Sequence, residues 1–437
     1  MTVRIKPQPC REVVTHWNPH PDEGLGLYLA KRFGKHIFQG IETARLVLLN
    51  AGQRPPNGER VQDYEKTRFV VGTCLGRYDE HGLNEDVRSR YAASSLVARD
   101  LGLTEDPALK PILEYTVNND RNAHRATWDL ASVMFGMNVL LLRPEDAQHT
   151  LDLAYDWFDV AYDYFAMRIK QGEKPTRPKG ELSLNDYIVS WLIQAFDFDH
   201  VIDAGTNLTA RQVAETLGIA DRPELKRILD LSERRHTEGP ATDFDIYTFV
   251  EMAVVTGHSN DWIYERLALM FNACRREEKL FYRALDSLPE TASFVQIWRN
   301  PANPEVPIIV RSTPADREDV HQTWAKKQHK LLSTIGIVES DSPVVHKAFR
   351  YKHRMDVMII RKSNGYTAVN IGRLPRGPFA FRLRKAESRN EYLTMDELLR
   401  DGNTYDPDGR QRPWCNFKEG GWLLNGAFTA LDQKQLP

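Results

Sequence analysis

Three short apolar runs near the start of the chain constrain its fold most. They are Glu12-Val13-Val14-Thr15, Arg45–Leu49 (RLVLL) and Arg68-Phe69-Val70-Val71. Each is rich in Val or Leu, too short for a helix, and followed by a polar or Gly-rich turn, which is the pattern of a buried strand. Between the first two, Gly24–Phe33 (GLGLYLAKRF) sets Leu25, Leu29 and Phe33 at helical spacing. A Gly/Pro loop at Gly52–Gly58 follows the second run, and Ser89–Leu101 reads as a helix after the third. Strands separated by helices predict a mostly parallel, Rossmann-like α/β sheet. Ligands of such sheets bind beyond the carboxyl ends of the strands. The polar clusters His16–Glu23 and Asp79–His81 both follow strands directly. The sheet therefore delivers them to one edge.

The remainder of the 437 residues changes character twice. Trp128–Lys170 is long, aromatic and helical. An exposed linker (KQGEKPTRPKG, Lys170–Gly180) breaks it, Leu182–Ala195 is helical again, and Phe244 to about Leu285 forms another long helical stretch. Trp128–Val133 and Phe249–Val254 open the two long stretches in similar fashion, a weak sign of a repeat that sets Trp128 against Phe249. Leu208–Arg235 has the outline of a helix-turn-helix, although an ordinary helical hairpin with a charged face reads the same way. From Phe294 onward, strands at Phe294–Trp298, Pro307–Val310, Asp356–Arg361 and Tyr366–Ile371, a helix at Val320–Leu332 and the turn Ser363-Asn364-Gly365 predict an α+β domain. The expected division is 1–125, 126–290 and 291–437.

Composition narrows the class. Hydrophobic residues make up 41% and charged residues 27%, which excludes a disordered or fibrous chain. Fifty-eight basic against 60 acidic side chains give a net charge of -2, so nothing global steers the protein to DNA or an acidic membrane. Cys10, Cys74, Cys274 and Cys415 are scattered, which fits a reducing compartment rather than a disulfide scaffold. No apolar leader and no membrane-length run is visible, so the expectation is a cytoplasmic protein without membrane contact. There is no GxxxxGK[ST] loop, no GxGxxG after the first strand and no GxSxG elbow.

Chemistry concentrates in two turns. His16-Trp17-Asn18-Pro19-His20-Pro21-Asp22-Glu23 brings two imidazoles and two carboxylates into a strand-to-helix turn, a donor mixture suited to Mn²⁺, Mg²⁺, Fe²⁺ or Zn²⁺. A surface turn with N-terminal helix acids would have the same composition. Gly76-Arg77-Tyr78-Asp79-Glu80-His81-Gly82 places two more acids and an imidazole in a second turn. Two such turns after strands of one sheet favour a shared site.

These segments resemble the DHH phosphoesterase superfamily. HWNPHPDE is similar to its motif I (His-x-Asn-Pro-Asp-x-Asp) and GRYDEHG to its Asp-His-His motif III. The tail GGWLLNGAFTALD (Gly420–Asp432) resembles its glycine-rich C-terminal substrate domain. The arrangement is most similar to the Myg-type metal-dependent hydrolase and exonuclease branch. The resemblance implies that His16 and His20 hold one metal, Mn²⁺ first among the candidates, and that Asp22, Glu80 and Asp120 hold another. It implies that His81 contacts the phosphate or leaving group and that Asp79 orients a histidine. The chain departs from the family at His20 (Asp there), at Gly72, where a bridging Asp is expected, and at Glu80 (His there). Glu23 or Asp63 is a candidate to replace the missing acid. Arg77, with Arg382, Arg384, Lys385 and the Gly420–Gly421 turn, would hold substrate phosphate. The implied function is hydrolysis of a nucleotide or nucleic-acid phosphodiester by metal-activated water. The substrate is a nucleotide or single-stranded nucleic acid, and a homodimer is compatible with it. The alternative is a catalytically degenerate relative that binds nucleotides or nucleic acid in a regulatory or assembly role.

Overall fold

The structure, a computed structural model, describes residues 6–49, 53–80, 91–122, 128–139, 144–178, 182–197, 208–234, 244–303, 308–327, 329–363, 367–371, 414–417 and 422–425. It is a mixed α/β protein whose chain divides into two units, 1–279 and 280–437. Among the described residues no helix is long and apolar enough to cross a membrane.

The first unit opens with β1 (Gln8–Pro9) and β2 (Glu12–His16), followed by α1 (Pro21–Phe33), β3 (Phe38–Gln39), β4 (Arg45–Leu49) and β5 (Arg68–Val70). β2 lies between β4 and β5 and is parallel to both, with Val14 opposite Val47 and Val70. The central position explains its sequence: Val13, Val14 and Thr15 are buried on both faces, which β-branched side chains tolerate well. Helix α1 starts where the apolar run stops. Pro21 suits its first turn, and Glu23 reaches back to accept the His20 amide at 2.7 Å. Leu25, Tyr28 and Leu29 are buried in its core face.

The helical part is built twice. Helices α2 (Ala93–Asp100), α3 (Lys110–Asn122), α4 (Leu130–Asn138) and α5 (Pro144–Lys170) form the first series. After α6 (Asn185–Ala195), helices α7 (Ala210–Thr216), α8 (Lys226–Ser232), α9 (Ile246–Val255) and α10 (Asn260–Thr291) form the second. Val97, Ala98, Leu101, Gly102, Pro107, Leu109, Lys110, Ile112, Leu113 and Asp129 each recur as the same residue 116 positions later, ending at Asp245. The hydrogen bonds recur with them. The Leu103 amide donates to the Ala98 carbonyl at 2.8 Å and the Ile219 amide to the Ala214 carbonyl at 2.9 Å. Gly102 and Gly218 both adopt left-handed φ (72° and 65°), the residue type such a helix end favours. Asp129 and Asp245 cap α4 and α9 through the Ser132 and Thr248 amides, 2.7 and 2.8 Å away. The two caps also face each other: Leu130 donates to the Phe244 carbonyl and Ile246 to the Trp128 carbonyl, around an antiparallel Asp129–Asp245 bridge.

The repeat expected from sequence therefore exists in a different register: Trp128 matches Phe244, not Phe249. The shared caps, rather than the apolar look of the helices, set the alignment. A second correspondence, at a spacing of 163 rather than 116 positions (188 − 25), relates α1 to α6. Leu25, Tyr28, Leu29 and Phe33 match Ile188, Trp191, Leu192 and Phe196, and the first three of each set are buried. The aromatic stripe of α5 is core: Trp157, Phe158, Tyr164 and Phe165 are buried. The helix ends at Lys170, and residues 171–178 are irregular and mostly exposed. In the segment that reads as a helix-turn-helix, Arg211 pairs with Glu233, Lys226 with Asp230 and Arg227 with Glu278. Those cations neutralise acids of the same unit.

The second unit carries a seven-stranded sheet of β6 (Ala292–Trp298), β7 (Ile308–Ser312), β8 (Leu331–Glu339), β9 (Val357–Arg361), β10 (Thr367–Ile371), β11 (Trp414–Phe417) and β12 (Trp422–Asn425). Its order is β11-β12-β10-β9-β8-β6-β7, antiparallel except for the β8–β9 pair. Helix α11 runs Arg317–Lys326, not to Leu332 as the sequence suggests, because Leu331 and Leu332 already belong to β8. Helix α12 (Val345–Lys352) turns Val345, Ala348 and Phe349 inward. β9 and β10 pair antiparallel as the turn signal predicts, with Arg361 opposite Thr367; the turn's Asn364 and Gly365 lie outside the described residues.

Candidate metal centre

His16 ends the central strand and His20 precedes α1, so the turn between them lies at the carboxyl edge of the parallel sheet. Asn18 holds a left-handed φ of 62° there. The Asn138 side chain, at the end of α4, donates to the Pro19 carbonyl at 2.8 Å and fixes the turn from the helical side. His16 and Glu23 are buried (6% exposed each), whereas 45% of the His20 side chain is open to solvent. His16, His20 and Glu23 are the group whose ligand atoms converge, each within 4.8 Å of the others.

The hydrogen bonding of His16 is the informative detail. Nδ1 lies 3.1 Å from the Trp17 carbonyl oxygen and Nε2 lies 3.0 Å from Glu23 Oε1. Both partners are acceptors, and a neutral imidazole has one N–H to offer. A second positive centre must therefore sit on the Nε2 side, either a proton or a metal ion. Burial works against the protonated ring, but the charge and hydrogen bond of Glu23, then the Trp17 carbonyl and the charge of Asp79, raise the His16 pKa well above its usual range. Burial likewise opposes ionised Glu23, and His16 and His20 outweigh it, so Glu23 is held low. The carbonyl on Nδ1 fixes the tautomer that leaves Nε2 able to ligate, and Glu23 beside it could share an ion or, without one, pair with the protonated ring.

The second turn supplies the floor. Gly72 follows β5 with φ 65°, and Cys74 and Leu75 are also left-handed (68° and 53°). The turn is closed by the Gly72 amide on the Tyr78 carbonyl at 2.8 Å and by the Leu75 amide on Asp79 Oδ2 at 2.7 Å. A Cβ at position 72 would lie 2.4 Å from Glu23 Oε1 and 2.6 Å from its Cγ. The Glu23 carboxylate thus fills the space a side chain at 72 would need. Glu80 is buried near these acids. Its pKa is raised by burial first, then by the charges of Asp22 and Asp79.

The other expected residues divide as follows. Asp22 is buried, but its carboxylate accepts the Ala93 and Ser94 amides at 2.7 and 3.0 Å and the Ser94 hydroxyl. It caps α2. Asn185 Oδ1 does the same for α7 in the second series, accepting the Ala210 amide at 2.8 Å. Burial and the neighbouring Glu23 charge raise the Asp22 pKa, against the pull of those donors. Arg77 turns to the buried Asp100, and its amide donates to Glu65 Oε1 at 2.7 Å. Asp120 stands half-buried in α3 and is not one of the converging group. Asp63 is engaged on the surface by Arg60 and Lys66. His81, Arg382, Arg384, Lys385, Gly420 and Gly421 lie outside the described residues. Sequence reading missed Ser94 and Asn138, whose parts depend on contacts 72 and 119 positions away in the chain.

Comparison with family models, with curated proteins and with solved structures finds no match in any of the three.

Proposed function

We propose that this protein is a divalent-metal-dependent phosphoesterase of DHH type, with a Rossmann-like first domain, acting on a nucleotide or nucleic-acid phosphodiester. The observation that carries the reading is His16, held between two acceptors with Glu23 on its inner side. His16, Glu23 and the solvent-facing His20 would hold the ion, with Mn²⁺ the best fit to a mixed imidazole and carboxylate set. Three protein ligands with one open flank match a catalytic rather than a structural site. The bound ion would act as a Lewis acid and make water nucleophilic near neutral pH. Glu23, seated over Gly72, supplies the carboxylate that the family places at position 72. Asp22 positions α2 against α1, and Asp79 braces the second turn.

The degenerate reading has one observation in its favour: Asp22 is committed to a helix N-terminus instead of the converging group. Hydrolysis of labelled RNA, single-stranded DNA and small nucleotides, with and without Mn²⁺, separates the two. The enzyme reading expects Mn²⁺-dependent turnover that His20→Ala abolishes while the fold stays intact. Nucleotide binding without turnover at any metal concentration supports the degenerate alternative.

A further inference from the structure

The second unit contains a cleft of about 390 Å³ on the face where α11 lies over β6 and β8. That is within the size range of small-molecule sites, roughly 300–1,000 Å³. Gln296 and Thr334, cross-strand neighbours on β6 and β8, are both buried in its floor. The rest of that β6 face is Ala292, Phe294 and Trp298, all buried, and the Trp298 indole N–H also meets no acceptor among the described residues. Gln296 is only 2% exposed, yet its Oε1 meets no hydrogen-bond donor among the described residues. An amide oxygen buried without a donor is unfavourable and needs an explanation. Asp356, also on the floor, is already engaged by the Thr334 amide at 2.7 Å and the Ser333 hydroxyl at 3.1 Å.

The cleft is lined by charges of both signs, with Asp356 and Glu318 as its acids. Arg317 and Arg354 line it with His321. Arg317 lies 4.3 Å from the centre of the Phe294 ring and donates to the Arg354 carbonyl. Neither guanidinium forms a salt bridge among the described residues. Glu318, the remaining acid at the cleft, is exposed and accepts a hydrogen bond from Gln322 at 3.3 Å.

Two guanidiniums above a buried acceptor define a ligand with an anionic end and an N–H end. We infer that this cleft binds a small organic phosphate carrying an N–H donor, with the phosphate on Arg317 and Arg354 and the donor on Gln296. Guanidinium pairs phosphate well through parallel N–H groups, and a glutamine amide suits the edge of a planar base. The inference lies wholly within the second unit and stands whether or not the His16 centre binds metal.

Calorimetric titration of the full chain in EDTA tests it, with adenosine monophosphate, ribose 5-phosphate and inorganic phosphate as probes. Adenosine monophosphate is expected to saturate a single site, with the other two at least about tenfold weaker. Arg354→Ala should weaken all three. Gln296→Leu should bring adenosine monophosphate down to the level of ribose 5-phosphate. The same substitution should raise the melting temperature by a few degrees, because it removes an unsatisfied buried amide. No saturable binding of adenosine monophosphate, affinities untouched by both variants, or a lower melting temperature for Gln296→Leu would overturn the inference.

Discussion

Placing a methyl group at Gly72 should disrupt the candidate metal centre by displacing Glu23, without replacing any of its three side chains. In Gly72→Ala the new Cβ would approach Glu23 Oε1, Cγ and Cδ to 2.4, 2.6 and 2.9 Å. A flexible carboxylate could ordinarily swing aside. This one is held by His16 Nε2 at 3.0 Å and the His20 amide at 2.7 Å, so moving it breaks both bonds. Hydrogen bonds involving charged groups contribute about 1.5–3 kcal/mol each, and some are remade to water, so the lost contacts amount to about 2–3 kcal/mol. The left-handed backbone at φ 65° adds about 1–2 kcal/mol for any residue with a Cβ. The expected destabilisation is therefore about 3–5 kcal/mol. In a Glu23→Ala background the clashing atoms are gone, and the same substitution should cost only the backbone part, about 1–2 kcal/mol. Urea denaturation of the four proteins of this cycle measures the coupling, expected at about 2–3 kcal/mol. Additivity within about 0.5 kcal/mol would refute the claim that Glu23 occupies the place of a side chain at 72.

Three further outcomes follow from named contacts. Asp22→Asn should keep the fold within about 1 kcal/mol, because Asn185 performs the same capping task in the second series. Asp22→Ala strands two amides and a hydroxyl and should cost about 2–3 kcal/mol in the same denaturation assay. Gly102→Ala and Gly218→Ala should each cost about 1 kcal/mol and by similar amounts, since both are left-handed with open space around the missing Cβ; unequal costs would separate the two series energetically. His353, packed against Phe294 and Phe349, is pushed down to about 4 by burial, then by Arg317 and Lys352. Its folded pKa lies below the ordinary 6.5, so protonation favours the unfolded chain. Its contribution is intact above pH 6.5 and is lost as pH falls toward 4. For a half-exposed ring we expect that loss to be only roughly 1 kcal/mol, and the melting temperature of His353→Gln should fall less over this range.

The sheet edge was legible because its signals are local. An apolar run stops at His16, and Pro21, Asp22 and Glu23 announce a helix start. What Asp22 does was not legible, since its donors belong to a helix whose first residue, Ala93, comes 71 positions later. The expected start at Ser89 lies outside the described residues; the helix is described from Ala93, where Ser95 accepts the Ala92 amide and Asp22 of α1 accepts the next two. The repeat was visible in principle. Comparing apolar stretches paired Trp128 with Phe249, whereas aligning the punctuation, Gly102 with Gly218 and Asp129 with Asp245, gives the register the hydrogen bonds follow. That Glu23 fills the space beside Gly72 while Asp63 pairs with Arg60 and Lys66 on the surface was not legible, because both are three-dimensional contacts. Leu331 and Leu332 read as the tail of a helix because the His and Lys residues before them, His329 and Lys330, do not mark its end.

Manganese binding with a proton count tests the central claim most directly. If a cation takes the place of the proton between His16 and Glu23, titration of Mn²⁺ at pH 7 in buffers of different ionisation enthalpy should show one tight site. It should also show release of about one proton per ion bound. His16→Gln and Glu23→Gln should abolish both. Manganese that fails to bind, or that binds equally well to both variants without releasing a proton, would contradict the account.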